Sequence, residues 1–370
     1  MAMKIIDLDT VQANGKRGET QRPAFTKINA NFAEVYGGLG QAESTLAGLA
    51  GRMVGRNALI NGDFRFWQRG SSRTVTAPLA VYVPDRYQIV CTGAGQVKVS
   101  RQVFATPTFG VTSYMNCDVS GATAATEAFC TQPVEGVQTL SGSTVTLSMQ
   151  AWAASPGRKI GVRFIQTFGK GGSPDVTIYA GAQEIGTASS LRQFTADLPS
   201  IQGKVVGPDS KLHVIVDFCT PAAYSAQLVG QSGSFSLTCM QLERGAVPTE
   251  YEVRPDTIEL MLCQRYFEKS YPVAVTPGTV TRQGRSCAAQ STAANALNFF
   301  YQQYRVPKRT SAAVTLYSSE SGMAGKICQN NNADINGVVE DASQSGFSLY
   351  GNNNSGAWGM WWHWTSDAEI

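Results

Sequence analysis

The sequence predicts a mainly β chain: an N-terminal arm and coiled-coil helix, then an antiparallel two-sheet sandwich, then a smaller C-terminal β-domain. Three observations predict it. From Asn57 to about Pro255, apolar and polar residues alternate at period two, the pattern of strands with one buried face. Gly, Pro and Ser clusters separate these runs, and 37 of the 370 residues are Gly, which suits short strands joined by tight turns. Ahead of them, one segment repeats its apolar residues at steps of three and four.

Bulk composition narrows the function classes. Charged residues make up 15% of the chain and the net charge is +3, so no basic face for nucleic acid is expected. No apolar run approaches the ~20 residues of a membrane helix. Asp7 and Asp9 fall where a signal peptide would carry its apolar core, so no export leader is expected. The eight cysteines are scattered without a CxxC pair, and His213 and His363 are the only histidines. That set reads as small buried hydrophobes in a reducing compartment rather than zinc ligands or disulfides. No cofactor is implied.

Residues 1–22 are polar and Gly-broken, an extended arm whose adhesive element is "KIIDL", with Ile5, Ile6 and Leu8. A helix begins at "RPAFTKINANFAEVY", where Pro23 suits the first turn. Phe25, Ile28, Phe32, Val35, Leu39, Ala42, Leu46, Leu49 and Met53 form an unbroken a/d heptad stripe within 23–54, with Phe25, Ile28, Phe32, Val35 and Leu39 the expected oligomerisation seam. A lone helix cannot bury such a stripe, so other copies of the chain are the expected cover. Gly37, Gly38, Gly40, Gly48 and Gly51 each cost up to ~1 kcal/mol against Ala, so a firm helix is expected over about 23–36 and a looser one beyond.

The sandwich is expected over 55–255. Val145, Leu147, Met149 and Ala151 face one way, as do Ile160, Val162 and Phe164; Leu212, Val214, Val216 and Phe218; and Phe235, Leu237 and Cys239. A boundary follows in "TEYEVRPDTIELMLCQRYFEKSY". Asp256 and Glu259 have capping-box spacing, and the short helix they open is expected to turn Ile258, Met261 and Leu262 inward. Strands resume over 256–370, with Asn-rich turns at "QNNNADING" and "YGNNNSG".

Candidate chemistry is of the binding kind. "NALINGDFRFWQRG", read as a strand, puts Phe64 and Phe66 on one face and Asp63, Arg65 and Trp67 on the other. Trp67, Tyr82, Tyr87 and Trp152, with Asp85 and Arg86, could stack on a sugar ring and bond its hydroxyls, although Trp67 and Trp152 read first as packing residues of the sandwich strands. In "AWGMWWHW", Trp358, Met360, Trp362 and Trp364 share one face, and Trp361 and His363 the other. Asn331 and Asn353, at the Asn-rich tips, offer amides suited to hydroxyls. "NGD" at Asn61 to Asp63 and Asp217 are calcium candidates without EF-hand spacing, so no metal is assigned. GxSxG, phosphate-loop and HExxH patterns are missing. Glu127 and Glu135 are the nearest approach to a glycosidase pair, and no enzyme is expected.

"NALINGDFRFWQRG", "PDRYQI", "QPVEG" and "FSLTCMQLERGAVPTEYEVRP" closely resemble a jelly-roll domain of bacteriophage tail fibre and related virion proteins, and the first and last are similar to carbohydrate-binding jelly-roll modules. "LCQRYFEKSY" and the final "HWTSDAEI" resemble the C-terminal β-domain of the same phage proteins. "AFTKINANFAEVY" resembles the short helix near their attachment end. The resemblance implies a jelly roll for the sandwich and a homotrimeric tail fibre made in the bacterial host cytoplasm and carried on the virion. It implies an arm held by other tail or capsid proteins and contact with a host surface glycan or protein. The alternatives are a head fibre, decoration or tail-collar protein with structural contacts alone, and a surface-glycan hydrolase.

Overall fold

The computed structural model describes residues 6–18, 21–50, 55–289, 291–293, 296–353 and 356–370, without the side chains of 40 and 42–50. The chain divides into two compact units, Met1–Gly55 and Arg56–Ile370.

In the first unit the arm is folded back rather than extended. The Asp7 carboxylate accepts from the Asp9 and Thr10 amides at 2.9 and 3.0 Å, and Val11 bridges Arg17 across a tight turn. Gly18, at φ +77°, closes it where a Cβ would come within 2.9 Å of the Asp7 carbonyl. Leu8 is exposed and Ile6 half-buried; Ile5 lies outside the described residues. Helix α1 (Gln21–Ala50) runs through Gly37, Gly38, Gly40 and Gly48 without a break. Glycine weakens a helix interior without forbidding it, which is why the expected loosening after 36 does not end the helix. Phe25, Phe32, Val35 and Leu39 are all more than half exposed, and Ile28 is half-buried. Met53 and the side chains of Ala42, Leu46 and Leu49 lie outside the described residues.

The second unit opens with twelve strands: β1 (Ser72–Thr76), β2 (Leu79–Tyr82), β3 (Gln88–Thr92), β4 (Gln96–Thr108), β5 (Val111–Ser120), β6 (Glu127–Glu135), β7 (Thr144–Ala153), β8 (Arg158–Thr167), β9 (Val176–Ile185), β10 (Ser190–Asp197), β11 (Lys211–Cys219) and β12 (Gly233–Arg244). They form two antiparallel six-stranded sheets, ordered β1-β4-β5-β12-β7-β10 and β2-β3-β6-β11-β8-β9. The inward faces are the ones that the alternation marks: Val145, Leu147, Met149 and Ala151 meet Ile160, Phe164, Leu212 and Phe218 in one core. The result is a jelly-roll-like sandwich.

The segment 57–70 is not a strand, contrary to the alternating reading. Asn61 and Phe64 both take positive φ, +59° and +55°, which breaks the period. The Asn61 side chain replaces the missing ladder. It accepts from Phe66 N at 3.0 Å and donates to the carbonyls of Phe66 and Asp85 at 2.9 and 3.1 Å. Asn57 does the same against β12, accepting from Leu242 N and donating to Met240 O, each at 3.0 Å. Gly62 packs so closely that a Cβ would stand 2.1 Å from the Met240 carbonyl. Phe64 and Trp67 consequently share the core.

Behind this loop follow α2 (Asp256–Gln264) and strands β13 (Phe267–Lys269), β14 (Ser286–Ala289), β15 (Leu297–Gln303), β16 (Ala313–Tyr317), β17 (Lys326–Gln329), β18 (Asp334–Glu340), β19 (Gly346–Asn352) and β20 (Gly359–Asp367). The sheet order is β13-β20-β17-β18-β19-β15, with β14 and β16 also paired to β20. Met360, Trp362 and Trp364 fill its core, as their shared face implies. Trp358 precedes the strand and is exposed. His363, on the opposite face, is also covered: its ring stacks on Tyr271 at 3.8 Å and bonds Ser270 Oγ at 2.8 Å.

Helix α2 reverses its expected faces. Ile258 and Met261 are exposed, while Glu259, Cys263 and Gln264 are buried. No side chain caps it. Asp256 instead binds Arg65, and Glu259 binds Arg254 and the Asn61 amide. The two carboxylates that read as a capping box are spent on the 57–70 loop, and that polar pull sets the helix rotation.

The two β-bodies are joined through charge. Arg86, buried, pairs with Glu369 and lies over the Tyr266 ring at 3.3 Å. Arg69 pairs with Asp367 and Glu369 at 3.0 and 3.3 Å and lies over Phe267 at 3.8 Å. Lys269 donates to the carbonyls of Gln68 and Val273 at 2.7 and 2.9 Å, and its burial pulls the ammonium down to about 8. Seven of the cysteines are buried and Cys287 is exposed.

Asn61→Ala should destabilise the chain by about 2–4 kcal/mol, since it strands the Phe66 amide and the Asp85 carbonyl and leaves a positive φ without its side-chain support. Urea unfolding measures this; a loss under about 1 kcal/mol would show that the loop is held by something else.

Candidate functional site

The sheet β2-β3-β6-β11-β8-β9 turns its inner face to the core and so presents a set of residues outward. On β11 these are His213, Ile215 and Asp217; on β8, Gly161, Arg163 and Ile165; on β6, Glu127, Phe129 and Thr131. The register sets Asp217 opposite both Phe129 and Gly161, and Arg163 opposite Tyr179. A bulge between Val162 and Arg163 shifts β9, with Gly181 at φ +97° taking the bend. Bulges of this kind re-aim side chains.

Arg163 is the centre. Its Nε lies 3.0 Å from Asp217 Oδ2 and its Nη2 3.0 Å from Glu127 Oε1. The guanidinium carbon stands 4.6 Å from the Tyr224 ring centroid and 5.0 Å from that of Phe129. Tyr224 and Tyr179 stack with centroids 6.4 Å apart and 28° between planes. Both tyrosines are exposed, at 41% and 51%, so ring surface is open beside a buried charge. A cavity of about 90 Å³ lies there, walled by Gly161, Gly181, Tyr179, Tyr224, Asp217 and Gln227. At Gly181 a Cβ would meet nothing within 4 Å, whereas at Gly161 it would come within 2.7 Å of Leu228.

Electrostatics follow from burial. Desolvation opposes the Arg163 charge, but Asp217 and Glu127 outweigh it and hold the guanidinium ionised. Burial pushes the Asp217 carboxyl up to about 7 against the pull of Arg163. His213, on the same face, is pushed down to about 4 by burial and by Lys211. The arrangement offers ring faces for the C–H side of a sugar and fixed polar groups for its hydroxyls.

The residues singled out by sequence are dispersed. Trp67 is a core residue whose ring N–H donates to Phe64 O at 2.6 Å. Tyr87 is fully buried against Phe64, centroids 4.8 Å apart. Neither has a face for a ligand. Asp85 is buried beneath Gln68, and Arg86 is committed to the joint. Tyr82 bonds the Ile370 carbonyl at 2.9 Å. Asn353 is also buried, its amide bonding Ser291 O at 2.6 Å and Ala357 O at 2.7 Å; it closes its own turn and cannot reach a receptor. Asn331 is exposed, with its Oδ1 accepting from Ala333 N at 3.1 Å. Trp361 is half-buried beneath Arg285 at 4.6 Å and edge-on to Trp358. Trp152 lies on the outer face of the other sheet.

Glu127 and Glu135 stand at opposite ends of β6, eight residues or roughly 26 Å of extended strand apart, and pair separately with Arg163 and Arg265. That distance excludes them as a glycosidase pair. Asp63 and Asp217, the calcium candidates, each carry an arginine. Among the described residues no group of three His, Cys, Asp or Glu is placed to hold a metal ion. No described helix is long and apolar enough to cross a membrane. Arg163, Tyr179 and Tyr224 were legible only as outward positions; Arg163 in "KIGVRF" was the clearest signal, a charge placed between core residues on a strand.

No family model and no curated protein matches the chain. Among solved structures it is similar to the enzymatically active domain of tailspike protein 4 of bacteriophage CBA120, at 11% identity over 51% of this chain and 22% of that one, with TM-score 0.31. It is similar to the family 11 carbohydrate-binding module of Clostridium thermocellum in complex with a β-1,3-1,4-mixed-linked tetrasaccharide, at 9% identity over 49% and 98% of the two chains, TM-score 0.29. It is also similar to an N-terminal endo-1,4-β-D-xylanase of Clostridium thermocellum complexed with xylohexaose, at 8% identity over 51% and 30%, TM-score 0.29.

His213 should make the fold acid-sensitive. Its folded pKa lies below the ordinary 6.5, so the stability tied to its neutral form is complete above about 6.5 and is lost as pH falls toward 4. Thermal melts across that range should show a steeper fall for the native chain than for His213→Gln. Parallel profiles would mean that the imidazole is free to charge in the folded state.

Proposed function

We propose that this chain is a non-catalytic, homotrimeric attachment protein of a bacteriophage virion, a tail fibre whose sandwich binds a host surface glycan in the Arg163 cleft. One observation carries the reading: a buried guanidinium held by two carboxylates under exposed, stacked Tyr179 and Tyr224. Such a polar-aromatic surface costs stability to maintain, since a buried ion pair is weak support for a fold, and it suits a hydroxylated ring.

The exposed stripe of α1 supports the oligomer. Phe25, Phe32, Val35 and Leu39 leave apolar surface that a second and third copy would cover in a parallel bundle. The family resemblance supports three copies. Three weak glycan sites on one stalk then gain by multivalency what each lacks alone. The arm before α1 is the segment that other tail or capsid proteins would hold.

The purely structural reading, a head fibre, decoration or tail-collar protein, has one feature in its favour. On the C-terminal sheet Leu297, Phe299 and Tyr301 of β15 are exposed, an apolar face that a neighbouring virion subunit could cover.

Arg163→Ala should weaken retention of the full chain on host cells at least tenfold, and extracted surface glycan should pass through incubation without new reducing ends. Undiminished cell binding by the variant would overturn the cleft; release of reducing ends would make the protein a hydrolase. Phe32→Asp should convert trimers to monomers in sedimentation. An unchanged trimer would place the seam elsewhere.

A further inference from the structure

The opposite sheet carries a second cleft. Inward Leu147, Met149 and Ala151 on β7 leave Ser148, Gln150 and Trp152 outward, and inward Met115 and Cys117 on β5 leave Tyr114 and Asn116 outward. The rings form a continuous strip. Trp152 and Tyr114 have centroids 4.9 Å apart, Tyr114 and Phe104 4.8 Å, and Phe104 and Phe109 6.4 Å. Hydroxyls and amides run beside it: the Asn116 amide lies 2.8 Å from Ser234 Oγ and 3.1 Å from Ser236 Oγ. At the Phe109 end the strip meets a cavity of about 260 Å³, lined by Phe109, Ser148, Gln150, Leu191 and Glu250 among others.

One unusual backbone position walls this cavity: Cys239 takes φ +54°, a conformation that a non-glycine residue rarely adopts, while Phe109, at φ +56°, opens the two-residue turn between β4 and β5. Cys239 sits where the pairing of β12 with β7 slips, between Thr238 and Gln241. Strain and bulges collect at sites that must hold an unusual shape.

We propose that this face is a second saccharide site, taking a linear neutral oligosaccharide with one ring in the cavity against Phe109 and Leu191 and the next units along Phe104, Tyr114 and Trp152. The size fits: the cavity falls below the ~300–1,000 Å³ of drug-sized pockets, which suits a single ring. The chemistry fits too. The lining alternates rings with amides and hydroxyls and holds one carboxylate, Glu250. That pattern matches the apolar faces and hydroxyl rims of uncharged sugars, whereas an anionic chain would need cations. The two clefts lie back to back across the sandwich, so each chain is bivalent.

The test is an array of immobilised neutral oligosaccharides probed with the full chain and three variants. Arg163→Ala closes the first cleft. Leu191→Glu, at an exposed edge-strand position that folding does not need, blocks the second, and Trp152→Ala shortens its strip. Arg163→Ala should keep binding to a subset of the array, and adding either Leu191→Glu or Trp152→Ala should weaken that residue of binding at least tenfold. Complete loss of array binding in Arg163→Ala, or retained binding in the Arg163→Ala, Leu191→Glu double variant, would overturn the second site. The first outcome would leave the Arg163 cleft standing as the one saccharide site; the second, combined with undiminished array binding by Arg163→Ala alone, would overturn both sites.

Discussion

The Asn57–Gly70 loop lies against β12 without forming a ladder, Ala58 N and Gly62 O bonding Leu242 O and Met240 N, and the second unit is built around satisfying the rest of its backbone. Unpaired buried backbone groups cost as much as lost hydrogen bonds. Asn57 and Asn61 supply the missing partners from their own side chains, and Gly62 lets the loop press against Met240. Once the loop is seated, it sets Phe64 and Trp67 into the core and aims Arg65 and Arg69 outward to the second β-body. Glu259 on α2 reaches back to the Asn61 amide. One polar loop thereby fixes the sandwich, the rotation of α2 and the joint with the C-terminal sheet.

The joint is unusual in being held by charge as much as by packing. Arg69, Arg86, Asp367 and Glu369 form a network in which each guanidinium also covers a ring. Breaking a buried pair from one side is costly because the other charge is left alone. The outer faces of the sandwich, by contrast, carry charge and aromatic rings that no internal contact demands. Arg163 lies nearly buried under tyrosines that remain open to solvent, and Cys239 holds an unusual backbone conformation beside an open cavity.

Much of the fold was legible because alternation is a direct consequence of strand geometry. Val145 to Ala151, Leu212 to Phe218 and Met360 to Trp364 all face where their spacing puts them. Where backbone leaves the strand, the same rule misleads. Asn61 and Phe64 at positive φ turned "NGDFRFW" into a loop, and so Trp67 and Tyr87 are core rather than platform. The helix α2 was misread for a different reason: apolar periodicity lost to the electrostatic demand of Arg65 and Arg254, which draws Asp256 and Glu259 toward the loop. The site residues were hidden because Arg163, Asp217 and Glu127 come from three strands, and Tyr224 from the loop between β11 and β12. Only the register brings them together, and register is set by the whole sheet.

A crystal structure of the full chain soaked with fragments of host surface glycan tests the central claim most directly. A sugar ring resting on Tyr179 and Tyr224, with hydroxyls bonded to Arg163, Asp217 or Glu127, is the predicted result. A cleft filled by side chains of a neighbouring copy, with sugar bound nowhere on this sheet, would contradict it.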